Sequence, residues 1–537
     1  MSVALPVAST ATLAGTIVAA YLMALTGAAI IPGLAAAIGL LAGLALQRWT
    51  WLRDPRPGAT TLTAWCAVVA TVLVLLMRLT WPALLPPGGA SDLTHHLMLV
   101  DVLERSRHLV DGAASEAALG EMAHYTPGLH LLIVVAGALA GIDAYRVVYP
   151  VLAVTVALKA GFVVLIAAEL LNGSRSRVPI ALAAVGLVLF APMAYSVDGF
   201  LRAGFLAQVA SELFVVAGWW GLANWWSSRA PAWMAFTGLM GAATFLTWPI
   251  WVGPLVVAAA ASLLSARELS STARVRSAVF CFGPVAVVSV LHLSAHAAWL
   301  GLAGTSGAVP LLAPGPLGWL FIALACAGAV IGWRQEPARP TLWFAAALVA
   351  QALALYALAR MRGAETPYMA MKMLYLGVYP AAVLGILGID AIARRFPSGV
   401  SWAVLLVVCG IGVGHARSTV VPPSVVDVSL HDAGKWAREH LEARCVDYIV
   451  ENADQAYWLH LAVLGQPRSS PRTADIDHYT ANRAAGRWVE GGALPYAVAF
   501  RALLPGEVVR DARVLKEFGT AVVIERAGVA CPSAIGD

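Results

Sequence analysis

Charge is what this chain of 537 residues has least of: Asp, Glu, Lys and Arg together make up 12%, while hydrophobic residues reach 60%. Soluble globular enzymes carry about twice that charged fraction, so they are excluded. Motifs of the common nucleotide and hydrolase sites are missing too. No Walker loop, Rossmann fingerprint, HExxH, GxSxG or CxxC occurs, leaving nucleotide-driven and zinc-peptidase chemistry without support. The excess of Lys+Arg over Asp+Glu is only 35 against 30, which suits cytoplasmic loop anchoring and gives no basis for a nucleic-acid surface. Cysteine is scarce as well. Of the six, Cys66, Cys281, Cys326 and Cys409 sit in apolar runs, where a thiol acts as a small hydrophobe. Cys445 and Cys531 remain, both in a polar tail, and in an exported domain they form a disulfide candidate. The first residues, MSVALPVASTATLAG, lack a basic n-region, so the first apolar run reads as a retained helix.

What the chain does have is apolar runs of membrane-spanning length, for which roughly 20 residues suffice. They fall from about 8–29 to 400–420, and the longest is 127–171. Between them lie basic clusters: Arg48, Arg53 and Arg56; Arg175 and Arg177; Arg267, Arg274 and Arg276; Arg334 and Arg339; Arg394 and Arg395. All belong on the cytoplasmic side. Parity then requires one net crossing over 127–171, with room for a short re-entrant or interfacial piece before Arg146, and about thirteen crossings in all. The expected fold is mainly α, a polytopic membrane domain over 1–423 followed by an extracytoplasmic α/β domain over 424–537. That tail holds 12 Lys+Arg and 15 Asp+Glu from residue 425 on, half of all the acids in the chain. Within it Leu430–Leu441 reads as an amphipathic helix, and Val446–Val450 and Thr520–Glu525 read as strands. The expected location is the plasma membrane.

The external loop 86–126 carries the first candidate chemistry. Leu93, Leu97, Val100 and Leu103 repeat at helical spacing, as in a helix lying in the membrane interface. Asp92 falls in its first turn after Ser91, a candidate N-cap, where the helix dipole favours a charged carboxylate. His95 and His96 follow at i+3 and i+4. Asp92 with these histidines is either a general base with orienting partners, or a site compatible with a divalent cation such as Mg²⁺ or Mn²⁺, or no more than a helix cap. The loop closes on HYTPGLH, where Thr126 and Pro127 suit an N-cap and N1 pair.

A second cluster, Asp198, Arg202, Gln208 and Glu212, lies at the outer end of a membrane run. Such groups face a polar cavity or pair with one another. A third, Arg360, Arg362 and Lys372, puts positive charge on the external side, against the usual bias. Phosphate binding accounts for it; so does headgroup anchoring, though less readily for Lys372, which lies within the next span. Trp248, in FLTWPIWVGP, fits an aromatic belt or a sugar-stacking surface.

With Asp92 in SDLTHH opening the long first loop, HYTPGLH closing it, Asp198 at the next outer loop and basic residues over 360–372, the chain resembles the GT-C membrane glycosyltransferases. YTPG is similar to the YPPG that ends this loop in arabinofuranosyltransferases of mycobacterial cell walls, with Thr126 in place of the first proline. The resemblance implies transfer of a sugar from a polyprenyl-phosphate carrier to a glycan, lipid or protein at the outer face. It implies Asp92 as catalytic base, with His95, His96 and Asp198 near it. Lys372, Arg202, Arg360 and Arg362 would hold the carrier phosphate, and His124, Tyr125, Glu212, Trp248 and Tyr368 would meet substrate. A transporter or flippase for a lipid-linked glycan, or a noncatalytic assembly subunit, is the alternative.

Overall fold

The computed structural model describes residues 4–51, 59–88, 91–109, 113–171, 180–184, 204–296, 307, 309, 316–394, 399, 402–403, 405–407, 410, 423–470, 472–473, 476, 479, 494–504 and 512–531. Its helices are α1 (Ala4–Leu25), α2 (Pro32–Trp51), α3 (Ala59–Met77), α4 (Ser91–Ser106), α5 (Ala113–Leu119), α6 (Gly128–Ala140) and α7 (Ala144–Leu170). After them come α8 (Leu206–Ser228), α9 (Pro231–Thr247), α10 (Val252–Ser265), α11 (Ser271–Ala295), α12 (Pro316–Trp333), α13 (Arg339–Met361) and α14 (Tyr368–Ala393). Eight of the described helices are long and apolar enough to cross a membrane, against about thirteen crossings expected. Much of the expected runs 178–196 and 400–420 lies outside the described residues, and α10 has only 14 residues.

The helices pack through small residues. A β-carbon at Gly39 of α2 would collide with Thr16 and the Thr12 carbonyl of α1, so glycine there lets the two backbones meet closely.

The stretch 127–171 divides in two. The 13 residues of α6 rise about 20 Å at roughly 1.5 Å each, short of the bilayer core of about 30 Å. The chain bends by 112° where α6 follows Ser115–His124. Just beyond α6, Asp143 meets Lys435 of the tail. The helix therefore returns to the layer from which it started, and α7 makes the one net crossing. Thr126 does not cap α6: its hydroxyl donates to the Thr247 carbonyl at 3.2 Å, tying the bend to the end of α9.

The tail forms α15 (Val428–His440), β1 (Val446–Ile449), α16 (Ala453–Trp458), β2 (Tyr496–Phe500), β3 (Ala512–Phe518) and β4 (Ala521–Arg526). The sheet order is β1-β2-β4-β3, with β1 and β2 parallel and the other two pairings antiparallel. Asp427 begins α15 by accepting a hydrogen bond from the Leu430 amide at 2.8 Å, an N-cap of the usual kind. Cys445 and Cys531 are joined by a disulfide, their Cα atoms 5.3 Å apart. Asp447, fully buried on β1, is held by Arg472 and Arg526.

This domain sits on α4. The apolar row Leu93, Leu97, Val100 and Leu103 is buried, covered by α6 on one side and the helical turn at 459–463 on the other. The helix expected to lie free in the interface is thus an interior one, because the tail supplies the apolar cover that lipid was expected to give. Charged contacts frame the junction: Arg438 donates to Asp101 at 2.8 and 3.1 Å, Arg146 to Asp432 at 3.1 Å, and Lys435 pairs with Asp143. The Arg468 and Ser469 amides donate to the Ala118 and Ala117 carbonyls, each at 2.9 Å.

Since the tail touches the loop that bears Asp92, both must lie on one side of the membrane. Cysteines placed at the exposed positions 439 and 334 should report this in intact cells: an impermeant thiol reagent is expected to reach 439 directly and 334 only after permeabilisation. The reverse pattern would turn the whole assignment of sides over.

Candidate active site

The first turns of three helices converge on one cavity of about 500 Å³. From α4 come Asp92, His95 and His96; from α8 and the residue before it come Gln208 and Phe205; from α14 come Tyr368, Met369 and Lys372. Glu121, Met122 and Tyr125 of the bend before α6, Trp248 at the end of α9 and Gly307 complete the lining. The seating of α8 depends on Gly204. Its φ is +69°, and a β-carbon there would crowd the Leu93 backbone, so glycine is needed both for the turn and for the approach to α4.

Lys372 is 3% exposed. Its ammonium lies 4.0 Å from the centre of the Phe205 ring, 4.3 Å from Tyr368 and 4.8 Å from Trp248. Tyr368, four residues earlier, shares its helix face. Such ring faces attract a cation without using its N–H donors. Among the described residues no carboxylate reaches Lys372 within 4.0 Å. Its N–H donors are left for a further partner, an arrangement suited to an anionic ligand.

Asp92 is the opposing charge. Burial lifts its carboxyl above the ordinary aspartate value, and the Lys372 ammonium pulls it part of the way back. A carboxylate raised in this way is a stronger base than one in water. His95 is a neighbour with its own duties: its Nε2 is 2.9 Å from the Tyr457 hydroxyl of the tail, and its Nδ1 is 3.6 Å from Glu121. His96 Nδ1 lies 2.9 Å from His130 Nε2, and Tyr125 packs edge-on against the His96 ring. Burial, reinforced by His130 and His95, holds His96 well below the ordinary histidine value, so it is a neutral cavity wall.

A divalent cation here would find its protein oxygens in Asp92 and Glu121, with water and substrate phosphate completing the shell in the manner of Mg²⁺. No cluster of three such ligands converges at the cavity among the described residues. The one cluster that does converge, Glu442 with Cys445 and Cys531, has both sulfurs in the disulfide.

The cavity thus gathers Asp92, His95, His96, Tyr125, Trp248, Tyr368 and Lys372 from positions spread over 280 residues of sequence. Other expected residues are elsewhere. Arg360 and Arg362, at the end of α13, are exposed and do not line it. His124 turns to Glu116, 3.1 Å away, and to the ring of His296. Glu212 lies below the cavity in an ion pair with Lys159 and accepts from the Tyr379 hydroxyl at 2.5 Å. Asp198 and Arg202 are outside the described residues. Trp248, expected near the membrane surface, is buried within the protein, as is Trp251. Sequence reasoning missed Glu121 and Phe205 and gave Gln208 no role. The signal for the last two was their spacing, three apart on the first turn of a helix that opens with glycine.

No protein-family model matches the chain, and no curated protein matches it significantly. Solved structures do. The chain is 16% identical to the arabinofuranosyltransferase AftD from Mycobacteria over 86% of its own length and 40% of AftD, with a TM-score of 0.52. A variant of AftD gives 17% identity, 86% and 41% coverage and a TM-score of 0.54. The structure of ArnT from Cupriavidus metallidurans bound to undecaprenyl phosphate gives 15%, 89%, 100% and 0.49. The chain spans about two fifths of the length of AftD. At these identities the likeness concerns architecture alone: this polytopic chain shares its fold with part of AftD.

Tyr457→Phe removes the tail hydroxyl that meets His95 and accepts from Arg468 of the tail itself. We expect a loss of stability of about 1 kcal/mol, a hydrogen bond's usual net worth, read as a small drop in Tm, and a larger fall in any turnover the cavity supports. Unchanged turnover in a folded variant would make the contact mere packing.

Proposed function

We propose that this GT-C-fold protein is a glycosyltransferase that moves a sugar from a polyprenyl-phosphate carrier to a cell-envelope glycan, lipid or protein at the outer face of the membrane. The observation that carries the reading is one cavity in which a buried lysine and a half-buried carboxylate face each other without being paired. The carrier is an amphiphile, so its phosphate sits at membrane-surface depth, and Lys372 meets it there with free N–H donors. Asp92 takes the proton of the acceptor hydroxyl. The acceptor oxygen bonds to the anomeric carbon as the bond from that carbon to the phosphate oxygen breaks. The electron pair departs with the phosphate, and Lys372 stabilises the charge that grows on it. A single in-line displacement of this kind inverts the anomeric centre. His95 and Glu121 flank the base, Tyr125, Trp248 and Tyr368 supply faces for the sugar ring, and the tail braces His95 through Tyr457. No step is routed through a metal.

Transfer from a labelled sugar–phosphate–polyprenyl donor by purified protein tests the reading, and a flippase would transfer nothing. Asp92→Asn keeps size and the helix start but cannot accept the proton, so turnover should fall by roughly two to four orders of magnitude. Near-normal transfer by a folded Asp92→Asn protein would remove Asp92 as the base.

Lys372→Met adds a pH signature. The ammonium lowers the Asp92 pKa, so without it the carboxyl stays protonated to higher pH. The acid limb of kcat/KM should therefore move upward, on top of the loss in donor binding. A limb that stays in place would mean that Lys372 does not face the catalytic base.

A further inference from the structure

We propose that Gln208, with the indole N–H of Trp248, selects the donor by hydrogen-bonding hydroxyl groups of its sugar. This deepens the transferase reading above and rests on it.

Gln208 is 2% exposed, and it lines the cavity from the first turn of α8. Neither its Oε1 nor its Nε2 has a hydrogen-bond partner among the described residues, and the same holds for Trp248 Nε1. Two other glutamines each make a hydrogen bond through the side-chain amide: Gln455 Oε1 accepts from the Glu451 amide at 2.8 Å, and Gln351 Nε2 donates to the Ile250 carbonyl at 2.5 Å. Leaving donor and acceptor of a buried amide both unmade is costly, so the wall is built for something that arrives.

What arrives is set by the donor and acceptor count. A phosphate only accepts; it would satisfy Gln208 Nε2 and Trp248 Nε1 and strand Gln208 Oε1. A hydroxyl both donates and accepts, so neighbouring sugar hydroxyls satisfy all three. The position agrees. Phe205, three residues before Gln208, and Trp248 itself are two of the rings around the Lys372 ammonium. The neutral wall is thus next to the cation that would hold the phosphate, where a sugar esterified to that phosphate must lie.

The test measures binding to protein in nanodiscs. The probes are a short-chain polyprenyl monophosphate without sugar and the same carrier bearing arabinofuranose, mannose or glucose. Gln208→Met fills the space without polar groups. Its Tm should rise, because two orphaned groups are gone. Affinity for the sugar-free carrier should stay within about twofold, and affinity for the best sugar-bearing carrier should fall about ten- to a hundredfold, as expected for lost hydrogen bonds in a water-poor site. Trp248→Phe keeps a ring over Lys372 and removes only the N–H, so it should lower the sugar preference by a smaller factor, about fivefold.

Wild-type discrimination between sugar-bearing and sugar-free carriers in both folded variants would overturn the role of this wall and leave the transferase reading standing. A drop in Tm with equal losses for all carriers would assign Gln208 to structure instead. A wild-type protein that binds no sugar-bearing carrier and transfers no sugar would remove the transferase reading, and this inference with it.

Discussion

The ammonium of Lys372, buried and without a carboxylate in contact among the described residues, is the constraint around which the rest of the site is arranged. Taking an ion out of water is expensive unless something answers its charge. Here three aromatic faces answer part of it, and they come from three separate places in the chain: before α8, at the end of α9 and within α14. Each must be held in register for the cage to exist. Gly204 lets α8 begin hard against α4, the Thr126 hydroxyl fixes the end of α9 to the bend before α6, and Thr366 holds Gly307 at the head of α14. The short helices and tight turns on this face are the means by which one cation is surrounded without being neutralised.

The tail bears on the same constraint from the other side. Docking on α4 is apolar at its centre, through Leu93, Leu97, Val100 and Leu103, and ionic at its edge. Partly exposed pairs such as Arg146 with Asp432 contribute little energy each. Two others set acids of the membrane part, Asp101 and Asp143, against Arg438 and Lys435 of the tail, so the polarity alternates along the junction. Complementary charge of this kind fixes register more than it adds affinity. In the register obtained, Tyr457 reaches His95, so the tail supports a residue beside Asp92. Cavity and roof are parts of one assembly.

How far all this could be read from the sequence follows from contrast. A charge in an apolar run is conspicuous, so Asp92 and Lys372 stood out, and so did the helix that starts at Ser91 with its apolar row. The tail helix, read as Leu430–Leu441 and found at Val428–His440, and the strands read as Val446–Val450 and Thr520–Glu525 were legible from periodicity, while the Asp427 cap was not read. The strands Tyr496–Phe500 and Ala512–Phe518 were not, because YAVAF is short and ARVLKEF alternates weakly on a largely exposed edge. Burial was the harder quantity. Spacing shows that Leu93, Leu97, Val100 and Leu103 share a face, but whether lipid or protein covers that face depends on a domain more than 300 residues away. For the same reason Arg360 and Arg362 resembled Lys372 in charge and position and differ from it in surroundings: they end a helix in the open, and Lys372 is walled in. Phe205 and Gln208 carried no conspicuous chemistry, and only the meeting of three helix starts gives them any.

One turn separates two opposite treatments of buried charge. Glu212 follows Gln208 by four residues on α8, and there the carboxylate is closed against Lys159 of α7 and the Tyr379 hydroxyl of α14. A buried pair in contact offsets its own desolvation and clamps the elements that bear it; breaking one partner away would leave a bare charge. That closed pair ties α7, α8 and α14 together below the cavity. Above it, Lys372 on α14, a helix which that clamp holds, and Asp92 on α4 remain apart, and the Gln208 amide, without a partner among the described residues, lines the same cavity. Were the upper charges free to move, they would collapse into contact as the lower ones have, because attraction grows as the local dielectric falls. The lower pair and the packed aromatic walls keep them from doing so. Rigidity at Glu212 therefore helps the cavity above to hold its charges apart.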